Sequence, residues 1–236
     1  MLQFSIVEQL ILAVFLLSGI TFFLYHLLLR LKIVLKGKSD FSVDELPKRI
    51  VRVFDEVILH KKVTSGNRKS AGILHALVMY GFIFFGLITI NHFGMAFGFP
   101  IFSESFRHTY FLIFGAPWAI LCTIGILGLA YRRFVIKPEA LGKFSSTSAL
   151  VSVFIITLMT TYLIDELHIL TGAAEKFNWW LHSGVIGGFL FLIPQSKHMH
   201  LVLSPFNIFL RPFEVPNHGA IPIDMEASEE ELDNLL

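Results

Sequence analysis

Apolar residues along the chain gather into five blocks, at about 5–33, 71–95, 109–131, 148–170 and 179–202, with shorter polar stretches between them. A helix of twenty or so apolar residues crosses the roughly 30 Å hydrocarbon core of a bilayer. It also satisfies its own backbone hydrogen bonds there. The pattern predicts an all-α integral membrane protein with five transmembrane helices over residues 1–215. A polar, acidic tail follows over 216–236, carrying Glu226, Glu229, Glu230, Glu231 and Asp233. The first block has neither the basic start nor the small-residue cleavage site of a secretory signal, so it is expected to be a retained helix.

Composition agrees with this pattern. Residues of the apolar set make up 54% of the 236 and charged residues 16%, against the roughly 25% charged residues of soluble domains. This balance excludes a soluble globular enzyme, a disordered tail and a nucleic-acid binder. The net charge of +1 carries little information, but its distribution does. Seventeen of the nineteen basic residues fall in the first and third connections and at the C-terminal end, leaving Arg107 and Lys176 in the second and fourth. The positive-inside rule then predicts an external N-terminus and a cytoplasmic C-terminus, in a cell inner membrane. Trp179 and Trp180 fall where the aromatic belt of the outer interface is expected.

The first connection, about 34–70, is too long for a bare link. Its start, Asp40 to Pro47, and the periodic Ile50, Val53, Phe54, Val57 and Ile58 predict an amphipathic surface helix. Anionic membrane lipid and a partner protein are both candidate surfaces for it.

Candidate chemistry narrows to histidine. One cysteine, Cys122, excludes a disulfide, a thiolate zinc site or an iron–sulfur cluster held by these residues alone. Ionisable groups within a bilayer are costly and tend to be functional. His182 and His200 are 18 residues apart in the fifth block, five whole helical turns and roughly 27 Å, so on one continuous helix they share a face at opposite membrane depths. Two stacked haems would need such an arrangement. Gly184, Gly187 and Gly188 could admit a flat macrocycle or a neighbouring helix. His75 and His92, in the antiparallel second block, lie at the depths of His200 and His182. His92 stands about 100° round the helix from His75. His198 and His200 should diverge by about 200°, so one of them faces the bundle, and His200 shares the stripe. His26 and His60 are expected to be interfacial or solvated. Asp165, Glu166 and His168 form a weaker candidate for an outer proton or metal site.

The stretches Gly72-Ile73-Leu74-His75-Ala76-Leu77 and Trp180-Leu181-His182 through Pro194-Gln195-Ser196-Lys197-His198-Met199-His200 resemble the haem-b membrane subunits of the nitrate reductase gamma type. They are more similar still to heterodisulfide-reductase-like membrane domains. The resemblance implies a membrane cytochrome b that passes electrons between the quinone pool and a cytoplasmic, cysteine-rich iron–sulfur partner, through one or two haems b. It implies His75 and His200 as the ligands of the cytoplasmic haem and His182 as a ligand of the outer one. The family's second outer ligand falls on Phe85, so either His92 takes its place or a single haem is bound.

Two other functions compete: a histidine-lined transporter or ion conduit, and a haem-free anchor for a soluble oxidoreductase. Five blocks do not divide into inverted halves, which counts against a transporter. No nucleophile–base pair or phosphate-binding loop points to catalysis by the chain itself.

Overall fold

The computed structural model describes residues 2–34, 45–64 and 69–213. The acidic tail 216–236, the Asp40–Asp44 start of the expected amphipathic helix and Lys36, Lys38 and Arg68 lie outside these residues.

The described residues form helices and connections. Four long segments, Ile6–Ile33, Lys69–Ala96, Glu104–Ile136 and Ser146–Glu166, are long and apolar enough to cross a membrane. The first belongs to α1 (Ile6–Val34). Two short helices, α2 (Leu46–Val53) and α3 (Lys61–Thr64), lie within the first connection, with a π-helical turn over Phe54–Ile58 following α2. The second long segment is α4 (Lys69–Ala96). The third is assembled from α5 (Glu104–Tyr110), a π-helical turn over Phe111–Gly115, and α6 (Ala116–Tyr131), running on to Ile136. It begins earlier than the hydropathy block because Ser103 caps it, its side chain accepting from the Phe106 N–H. The fourth is α7 (Ser146–Glu166), capped in the same way by Ser145.

The fifth block departs from expectation. α8 (Gly172–Leu192) opens on the polar Glu175, Lys176 and Asn178 and ends ten residues short of Val202. Proline has no N–H to continue a helical ladder, and at Pro194 the chain turns. It resumes at Ser196, whose hydroxyl accepts from the His198 N–H and caps a tight turn over Lys197–Met199. α9 (His200–Leu210) then begins at His200 itself. His182 and His200 therefore do not share one continuous helix, and the five-turn stripe is interrupted.

α4 packs on α6, α6 on α7, α7 on α8 and α8 on α1. Buried Ala119, Cys122, Ile126, Ile155, Met159 and Phe189 belong to one core between them. Close approach depends on small residues. A β-carbon on Gly125 would stand 2.8 Å from the Leu74 carbonyl oxygen across the α4–α6 contact. On Gly187 it would run into the Phe15 ring of α1, and on Gly188 it would meet the Phe154 ring of α7 at 2.9 Å. These two glycines thus admit neighbouring helices rather than a macrocycle. Gly125→Val should lower stability in detergent by about 2 kcal/mol, since the Leu74 backbone cannot yield as a side chain would. A thermal unfolding curve of the purified variant checks this.

Most basic residues lie at one end of the bundle, hereafter the basic end. There α2 packs on α9. Arg49 is buried and donates to the carbonyls of Phe209 and Arg211 at 3.0 and 3.2 Å while pairing with Glu45 at 2.8 Å. Arg211 pairs with Glu56, and Arg52 lies over the Phe213 ring. The amphipathic segment thus docks on the chain's own α9 and leaves Ile50, Val51, Phe54 and Ile58 exposed.

Candidate cofactor site

Three of the four sequence-predicted histidines sit on α4 and α8, and the fourth opens α9. His75 lies near the start of α4, and His200 reaches it because the turn after α8 redirects the chain. Their ring centres are 6.0 Å apart, with the planes at 35°. Two imidazoles on opposite faces of one metal ion place their ring centres roughly 6 Å apart, since each nitrogen stands about 2 Å from the metal. His200 Nδ1 lies 2.9 Å from the Lys197 carbonyl. A carbonyl only accepts, so Nδ1 carries the proton and Nε2 presents its lone pair, the tautomer that a metal ligand held by its backbone adopts. His75 Nδ1 is buried and has no hydrogen-bond partner. A buried donor or acceptor left unmade costs about 1–3 kcal/mol.

Both rings line one cavity of about 130 Å³, with His198 and apolar side chains such as Val78, Phe82, Ile126 and Phe189. Imidazoles converging in an oily cavity fit a bis-histidine haem. His198 lines the cavity as well, its ring 6.3 Å from that of His200, because these residues lie in a tight turn and not in a regular helix. The 200° divergence expected of them does not hold.

His60, expected to be interfacial or solvated, is only 5% exposed. Its ring is 5.6 Å from that of His75, and its Nδ1 donates to the Val57 carbonyl at 2.7 Å. A left-handed backbone at His60, φ 51°, folds it under the bundle. It flanks His75 without lining the cavity, so His200 is the better-placed partner. No spacing rule could have found His60, whose approach depends on one unusual dihedral.

At the opposite end, His92 and His182 also meet, with ring centres 5.0 Å apart and planes at 56°. His92 is buried, stacked on Trp179 at 4.7 Å, and its Nε2 is 3.0 Å from the Ser183 hydroxyl. His182 Nδ1 lies 2.7 Å from the Thr161 hydroxyl, which itself lies 2.7 Å from the Thr157 carbonyl. The hydroxyl proton goes to that carbonyl, so the imidazole N–H donates to the hydroxyl oxygen. The crevice between these groups is about 10 Å³, lined also by Asp165, Asn178 and Tyr162. That volume holds about one water molecule. The arrangement does not fit a haem.

Glu166 pairs with Arg107 at 2.9 Å instead of joining His168. Among the described residues no group of three or more His, Cys, Asp or Glu side chains is placed to hold a metal ion. His26 packs against the rings of Phe22, tilted, and Tyr25, edge-on, on α1.

No protein-family profile matches the chain, and neither does any solved structure. Among curated proteins the chain is similar to the "Probable iron-sulfur-binding oxidoreductase FadF" of Bacillus subtilis (strain 168), with 29% identity over 224 residues, 81% of this chain and 31% of that protein. The chain therefore spans about a third of the length of this relative, a protein described as an iron–sulfur-binding oxidoreductase.

Proposed function

We propose that the chain is the membrane electron-transfer part of a quinone-linked oxidoreductase, with one haem b held by His75 and His200. The observation that supports this most directly is the convergence of the two imidazoles, 6.0 Å apart, on one apolar cavity. When bound, a haem supplies one-electron exchange at its iron. The chain's own residues supply the rest. The Lys197 carbonyl orients His200, Val78, Phe82 and Phe189 exclude water, and α4 fixes His75 against both.

The relative's name supports an iron–sulfur partner, because a cluster needs several thiolates and these 236 residues contain one cysteine. The positive-inside rule makes the basic end cytoplasmic, so the partner docks there and the N-terminus is external. α8 acts as a fifth span, its polar first turns lying at the outer interface and the exposed face of α2 resting on lipid. The membrane is the inner, cytoplasmic one, which carries the quinone pool.

Reduced-minus-oxidised absorption of the purified protein tests this reading, with dithionite and then reduced menadione as reductant. A low-spin b-type spectrum that develops with both is expected. A purified, folded chain without a Soret band contradicts the proposal and favours the haem-free anchor.

A further inference from the structure

The outer histidine pair, too close-packed for a haem, belongs to a continuous polar arrangement. With its Nδ1 proton committed to Thr161, His182 has Nε2 as its proton-accepting atom. His92 is its neighbour, and Asp165 lines the same one-water crevice. Asp165 and Trp179 also line a second, polar cavity of about 160 Å³ at that end of the bundle, where Glu104, Arg107, His168 and Glu175 gather. Glu166 faces Arg107 beside it. In the other direction, one turn deeper than His92 and His182, Thr89 and Ile186 line an apolar cavity of about 230 Å³ in the middle of the bundle. That cavity shares Phe82, Ile155, Phe189 and Ile193 with the His75–His200 cavity.

We propose that His182 and Asp165, with His92 closing the crevice beside them, form a proton path between the middle of the membrane and the outer polar cavity, in the position where a second haem site was expected. The inference rests on the quinone-linked reading and adds the route that reading leaves open. Converting a hydroquinone to its quinone breaks two O–H bonds and releases two electrons and two protons, and the reverse reaction takes up the same. The electrons require a one-electron acceptor or donor, a haem iron in that reading. The protons require titratable groups in sequence. The His182 Nε2 lone pair takes a proton, a water in the crevice carries it to the Asp165 carboxylate, and the outer cavity opens Asp165 to bulk solvent. His92, bonded to Ser183 and stacked on Trp179, holds the crevice closed to anything larger.

The test uses the purified full chain with its haem and the variants His182→Gln, Asp165→Asn and Asp165→Glu. Haem per chain is measured first, followed by stopped-flow haem reduction by reduced menadione between pH 6 and 8. All variants should keep the wild-type haem content and dithionite-reduced spectrum. His182→Gln and Asp165→Asn should slow reduction by the quinol at least about tenfold and flatten its pH dependence, while Asp165→Glu restores both. Loss of haem in His182→Gln would make that residue a ligand and overturn the proposal. Wild-type rates in Asp165→Asn would overturn it as well. A wild-type chain without haem instead overturns the quinone-linked reading on which it rests.

Discussion

Replacing His75 with alanine is expected to reduce the haem content of the purified protein to less than roughly one tenth of wild type, and His200→Ala should do the same. Loss of an outer-shell partner alone typically costs 10–100-fold in affinity, and removal of an axial ligand does at least that much. His60→Ala is the matching control. Its ring lies slightly closer to His75 than that of His200 does, at 5.6 against 6.0 Å, yet it does not line the cavity. Haem content should therefore survive this change. A pyridine haemochrome assay against protein concentration measures all three variants. Retention of haem in His75→Ala together with its loss in His60→Ala would reassign the ligand set.

Arg49→Ala is expected to give the largest loss of stability of any single change at the basic end, about 2 kcal/mol or more. The guanidinium is 1% exposed and donates to two carbonyls at the end of α9, Phe209 and Arg211, besides pairing with Glu45. Removing it leaves those carbonyls with fewer donors in a site sheltered from water, which is the costly half of a buried hydrogen bond. Glu45 is a third exposed, so it rehydrates and keeps the cost below that of a fully buried pair. Because α9 opens with His200, the loosened helix should also release haem on mild heating before the bundle unfolds. Thermal scans followed at the Soret maximum and by circular dichroism would show the two transitions separate in the variant and coincide in wild type.

Four of the five apolar blocks were legible because a membrane span is mostly a matter of composition and length, and each such block proved to be a helix of that kind. The fifth was misread for the same reason. Apolar residues run through Ile193 and Pro194 to Val202 with little change in hydropathy, so a compositional reading continues the helix where the backbone cannot. Pro194 followed by Ser196 was a visible stop-and-restart signal, a residue lacking an N–H and then a side-chain cap. Read for its backbone, it announces the turn. The structure brings His75 and His200 together by that turn and not by a five-turn stripe. His92 also meets His182, although its azimuth set it apart from His75. The packing of Trp179 on His92 and the hydroxyls of Thr161 and Ser183 fill the space a macrocycle would need, and hydrophobic periodicity carries no information on those contacts. The amphipathic pattern of residues 50–58 was legible as a helix. Its partner was not, because the surface that receives it, the end of α9, exists only once the last turn has formed.

On this reading one haem is bound, between His75 and His200. The most direct test is low-temperature electron paramagnetic resonance of the oxidised, purified protein, combined with haem quantitation per chain and a redox titration. One haem per chain, a single low-spin bis-histidine signal and a single midpoint are expected. Two midpoints with two haems per chain would contradict the close-packed outer pair, and a folded chain with no haem would contradict the site itself.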